Sequence, residues 1–182
     1  LAALAALGPG VWRAVAVGAV KTLARFSDAC LILRAGEAGL AMAYAPLVLV
    51  AMNVVYSASA WPFGVLSDQI GKRGLLRLGF AVLVVADLVL GFGQGEATVL
   101  LGVALWGLHM GLTQGLLATM VAAAAPETQR GTAFGVFNLV SGLALLLGNA
   151  AAGALWAGYG SAACFAAGAG VAALALAGLW RR

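Results

Sequence analysis

Six apolar runs follow one another along this chain with little between them: residues 11–33, 40–63, 75–93, 97–123, 132–157 and 161–179. Crossing a bilayer as a helix takes roughly 20 mostly apolar residues. Each run is long enough, or nearly so, and together they leave no room for a separate soluble domain. The expected fold is all-α: a polytopic membrane protein with six transmembrane helices, here spans one to six, filling 11–182. Residues 1–10, closed by Gly8-Pro9-Gly10, read as an interfacial linker.

Composition supports this. The chain is 64% hydrophobic and 9% charged, against about 25% charged in soluble domains. Its net charge of +4 does not point to nucleic acid, because such binding needs a basic patch on a water-facing surface. The Lys and Arg residues instead sit mostly at the ends of the runs. Cys30 and Cys164 lie inside apolar stretches, so neither a disulfide framework nor a metal site is expected. No H-E-x-x-H or G-x-S-x-G motif is present and the acidic residues form no catalytic pairs, so the expectation is neither an enzyme nor a cofactor protein.

Loop charge orients the spans. One set of connections and ends holds Arg13, Lys72, Arg73, Arg77, Arg130, Arg181 and Arg182; the other holds Arg34 with Glu37 and Glu96. Cytoplasmic loops carry the excess of Lys and Arg, which places both ends of the chain in the cytoplasm; the expected location is the cell (inner) membrane.

An internal repeat accompanies the alternation. Gly64-Val-Leu-Ser-Asp-Gln-Ile-Gly71 and Gly153-Ala-Leu-Trp-Ala-Gly-Tyr-Gly160 share G-x-L-x-x-x-[IY]-G at an offset of 89 residues. That is three spans, an odd number, so the second unit sits upside down. Two inverted three-helix repeats are a common transporter plan.

The first copy, continued by Lys72-Arg73, resembles the signature loop of the major facilitator superfamily, G-x-L-[ST]-D-[RQ]-x-G-[RK]-[RK]. Two further stretches are similar to that superfamily in order and spacing: Phe26-Ser-Asp28-Ala-Cys-Leu-Ile-Leu-Arg34-Ala, and Pro126-Glu-Thr-Gln-Arg130-Gly-Thr-Ala-Phe-Gly135 with Asn138. The resemblance covers essentially the whole chain. It implies the C-terminal half of a twelve-helix transporter whose N-terminal six-helix half is missing here. Two departures, Lys21 where such helices are usually apolar and Cys30 where an aromatic is common, bear on substrate type rather than fold.

The motif residues have physical work to do. Gly64 permits close approach of a neighbouring helix. Asp68 stands at a helix C-terminus, where negative charge is unfavourable, so it needs a partner: Lys72, Arg73 or another helix's N-terminus. A pair made in one conformation and broken in the other is a latch, and the resemblance places its partner on the missing half. Gly64, Asp68, Gly71, Lys72 and Arg73 form this candidate latch loop; the basic residues also read as simple topology anchors.

Inside the membrane, span one carries Lys21, Arg25 and Asp28 on one helical face. Each charge costs roughly 2.5–3.5 kcal/mol at mid-span, and the eight Val, Leu, Ile and Phe residues from Val15 to Leu33 return only about 2.4–4.8 kcal/mol in all. That face must meet other helices or a wet cavity. Lys21 and Arg25 would bind an anionic group while Asp28 tunes them or carries a proton. The alternative is a structural ion pair with Lys21 snorkelling to the interface. Polar stripes recur on span two (Asn53, Tyr56, Ser57, Gly64), span four (Trp106, His109, Thr113, Met120) and span five (Phe134, Asn138, Ser141, Gly142, Asn149), while span three has only Asp87 in its middle and span six almost nothing. Spans one, two, four and five are therefore expected around a central cavity with three and six as outer supports. The candidate substrate and proton pathway comprises Lys21, Arg25, Asp28, Asn53, Tyr56, His109 and Asn138.

The function expected is secondary active transport of a small solute by alternating access, proton-coupled, as efflux of drug-like or organic-anion compounds. The expected partners are that solute, protons and the lipid bilayer. The alternative is a stand-alone six-helix membrane module without transport activity of its own.

Overall fold

The computed structural model describes residues 7–25 and 28–180, which are helical with no strand among them. The helices are α1 (Pro9–Ala24), α2 (Ala29–Glu37), α3 (Ala45–Phe92), α4 (Glu96–Ala124) and α5 (Arg130–Trp180); short 3-10 turns at Met42–Tyr44 and Glu127–Gln129 lead into α3 and α5. Leu1, Leu4, Phe26, Ser27, Arg181 and Arg182 lie outside the described residues. The stretch read as an interfacial linker is partly built into the fold. Pro9 opens α1, where its missing N–H is no loss, and Leu7 is buried in a cluster with Val11, Val15 and Val121.

Three stretches are long and apolar enough to cross a membrane: Met42–Phe92, Glu96–Ala124 and Glu127–Trp180. Two are about twice the length of a span, and each turns at a single glycine. Gly71 has φ 75° and ψ 157°; Gly160 has φ 82° and ψ 177°. Only glycine adopts this region readily. Span two runs in the same direction as α4, with Met52 at Gly107 and Ser59 at Gly111, whereas span three runs against it, with Gly79 at Thr113 and Leu90 at Gly102. The chain therefore reverses at Gly71. It reverses again at Gly160: span five runs along α1, with Phe137 at Gly18 and Gly148 at Leu23, and span six runs back, bringing Gly178 to Val17. The two reversals are the final glycines of the two motif copies, so the inverted repeat is a feature of the fold.

Span one departs from expectation. Instead of one helix over 11–33, α1 stops at Ala24, Arg25 leaves helical geometry (φ −100°, ψ 89°), and α2 resumes at Ala29 with Asp28 as its N-cap residue. A carboxylate is favourable at a helix N-terminus, and non-helical backbone at membrane depth is tolerated where it lines a cavity.

Charged groups gather at opposite ends of the bundle. Arg13, Arg73 and Leu179 line one crevice. At the other end Arg34 donates from Nε to the Leu90 carbonyl and from Nη2 to the Gly93 carbonyl, both at 2.7 Å, and bridges Glu37. Between them the core is tightly buried, with Trp106 edge-on to Phe165 at 6.4 Å. Asp87 of span three is fully buried there, and neither of its carboxylate oxygens has a partner among the described residues. Cys30 and Cys164 are free thiols, both buried.

Candidate functional site

The break in span one sets its charged residues against spans four and five. Lys21, on the last turn of α1, is 5% exposed, and its Nζ donates to Oε1 of Gln114 at 2.8 Å. Arg25 Nη1 reaches the same oxygen at 3.4 Å. Through Nη2, Arg25 also bridges Asp28 Oδ1 at 3.1 Å, across the break. Because both donors are cationic, the Gln114 amide must present its oxygen to them. The result is a chain of four side chains, Asp28–Arg25–Gln114–Lys21.

Lys21, Arg25 and Gln114 of this chain border a cavity of about 310 Å³. Span one contributes Lys21, Thr22 and Arg25; α4 contributes Gln114, Leu117 and Ala118; span five contributes Phe137, Ser141, Gly142 and Leu145. The Phe137 ring lies so close to Gly18 that any side chain there would collide with it. Ser141 Oγ is buried without a partner among the described residues. Lys21, Gln114 and Ser141 all stand near the middle of their spans, so the cavity lies deep between the two membrane faces.

The other expected pathway residues are placed elsewhere. Asn53 is exposed and donates to the Leu49 carbonyl of its own helix. Tyr56 and Gly64 border a second cleft of about 230 Å³ between span two and α4. Asn138 is exposed one turn before Ser141 and Gly142 and does not line the cavity. His109 is sealed between spans three and four: its Nδ1 lies 2.8 Å from the Gly79 carbonyl, to which it donates, and its Nε2 has no partner among the described residues. Thr113 is buried on the same face, where Gly79 leaves room for its methyl group. The span-four stripe thus faces span three, not the cavity. The cavity-facing polar residue of α4 is Gln114, which the stripe omitted. A buried cation needs an acceptor, and Gln114 is the one amide in α4; those two facts together would have found it.

In the candidate latch loop, Asp68, Lys72 and Arg73 are exposed, and none makes an ion pair or hydrogen bond with the described residues. Gly64 makes no close helix approach: nothing lies within 4 Å of where its Cβ would stand. The expected pairing of Asp68 with Lys72 or Arg73 is not made. Gly71 provides the reversal that brings span three back.

The sequence matches the Major Facilitator Superfamily over residues 8–182. It is 31% identical over 148 residues to the uncharacterized MFS-type transporter MJ1317 of Methanocaldococcus jannaschii, a match covering 78% of this chain and 37% of that protein. It is 33% identical over 101 residues to the uncharacterized MFS-type transporter YwfA of Bacillus subtilis, covering 55% of this chain and 24% of that one. The uncharacterized MFS-type transporter Rv1250 of Mycobacterium tuberculosis is 30% identical over 120 residues, covering 65% and 21%. The chain thus spans well under half the length of these relatives. Membrane-spanning helices, reversals repeated at the motif glycines and a match over nearly every residue lead to one conclusion: this chain is a multi-pass membrane protein belonging to the major facilitator superfamily.

Proposed function

We propose that this chain forms one side of the solute path of a proton-coupled secondary transporter working by alternating access, in the cell (inner) membrane with both ends of the segment cytoplasmic. Six further helices would close the cavity from the other side. The observation that carries this reading is the Lys21–Gln114–Arg25–Asp28 chain: two cationic side chains lining a cavity, one of them paired with Asp28, within spans where intramembrane charge marks transport paths. Asp68, which has no partner among the described residues, would latch to the other half in one conformation.

Asp28, rather than His109, is the proposed proton carrier, because it borders the break and holds Arg25. Protonating Asp28 removes the carboxylate that engages the guanidinium. For a cationic drug-like solute, proton and solute would then exclude one another, as proton-driven efflux requires. For an organic anion the freed Arg25 would strengthen binding, so anion and proton would travel together. The two cations favour the anion.

The test is solute and proton flux in proteoliposomes holding the full-length protein, Arg25→Ala or Asp28→Asn. Loss of flux in Arg25→Ala is expected, together with solute exchange that no longer responds to a pH gradient in Asp28→Asn. Unchanged pH-driven flux in both variants overturns the reading and leaves the cluster a structural ion pair.

A further inference from the structure

The charges around the cavity do not balance. Arg25 engages Asp28, but Lys21, 5% exposed, is held by a neutral oxygen. One positive charge is left over at mid-membrane depth, where an unpaired ion is strongly disfavoured. Gln114 is what maintains this state. Its carbonyl orients both cations without cancelling either, whereas a carboxylate of the same length would neutralise Lys21 from within. After that one bond, the ammonium still has two N–H groups to offer.

Beyond the charged end, Phe137, Leu117 and Leu145 make an apolar wall. We propose that Gln114 sets the charge selectivity of this cavity, reserving one positive charge for a small organic acid whose single carboxylate meets Lys21 and Arg25 while its apolar body lies against Phe137. The inference rests on reading the cavity as the solute site. Gln114 acts as a positioning residue, through the two cations it holds.

The test is equilibrium binding to the purified full-length protein, using matched acid and amide probes: benzoate with benzamide, and cyclohexanecarboxylate with its carboxamide. The wild type is expected to prefer each acid over its amide at least tenfold. Gln114→Glu should lose at least tenfold in acid affinity with amide affinity little changed, since the new carboxylate takes the charge reserved for the ligand. Gln114→Met, which keeps the net charge but not the acceptor, should weaken acid binding several-fold while retaining preference for the acid. Wild-type binding of neither acid, or of acid and amide alike, overturns the inference. So does Gln114→Glu retaining wild-type acid affinity. If Gln114→Glu does not fold, wild-type acid affinity in Gln114→Met decides against it. Acid binding with this selectivity but no flux in proteoliposomes overturns the transport reading and leaves the selectivity standing.

Discussion

Gly71 and Gly160, 89 residues apart, adopt nearly the same left-handed, extended backbone conformation, and each turns the chain from the second span of its repeat into the third. The match continues to the ends of those third spans. Leu90 and Leu179 have the same separation, and each offers its carbonyl to an arginine: Leu90 to Arg34, Leu179 to Arg77 at 2.8 Å. Helix ends leave carbonyls unpaired and carry partial negative charge, so a guanidinium at the last turn serves both repeats, at opposite ends of the bundle.

The reversals should be intolerant of any side chain. Gly71→Ala and Gly160→Ala are each expected to lower stability by about 1–3 kcal/mol, the usual range for non-glycine residues in this backbone region. Gly64→Ala, with nothing near its Cβ position, should leave stability unchanged. Thermal unfolding of the three variants in detergent checks the contrast; equal losses at Gly64 and Gly71 would contradict it.

Arg34 ties α2 to the end of span three through two carbonyls. Removing it as Arg34→Ala should cost about 2–3 kcal/mol, since hydrogen bonds to charged groups are worth more than neutral ones. Arg34→Lys, which cannot span both oxygens as a fork, should recover only part. The readout is the unfolding midpoint, together with hydrogen exchange at residues 90–95.

Asp87 is buried with neither oxygen partnered among the described residues. Burying such a group without hydrogen bonds costs about 1–3 kcal/mol by mutational measures, so Asp87→Leu is expected to raise stability by a similar amount. A lower melting temperature would mean that the carboxylate has a partner in the assembled protein.

His109 donates to Gly79 inside the span three–four contact. His109→Leu should therefore lower stability by about 1 kcal/mol and leave the pH dependence of flux intact. A changed pH profile in His109→Leu, with none in Asp28→Asn, would move the proton site from the cavity to the span three–four contact.

The sequence by itself determined the all-helical, apolar make-up and the repeat, because apolar run length acts through the bilayer and needs no knowledge of neighbours. The glycine motif carried the reversals for a related reason: a backbone conformation open mainly to glycine is written in the residue type. Periodicity also found Lys21, Arg25 and Asp28, since charge in a span is conspicuous wherever it points. What tertiary structure decided was which polar face meets which neighbour. Trp106, His109 and Thr113 share a face, but only the packing of α4 on span three, close enough at Gly79 to admit Thr113, shows that this face is sealed. That packing turns Gln114 to the cavity. The break at Arg25 was equally invisible, because helical spacing places Lys21, Arg25 and Asp28 on one stripe whether or not the helix continues. Whether it continues depends on the cavity that the neighbouring spans build beside it.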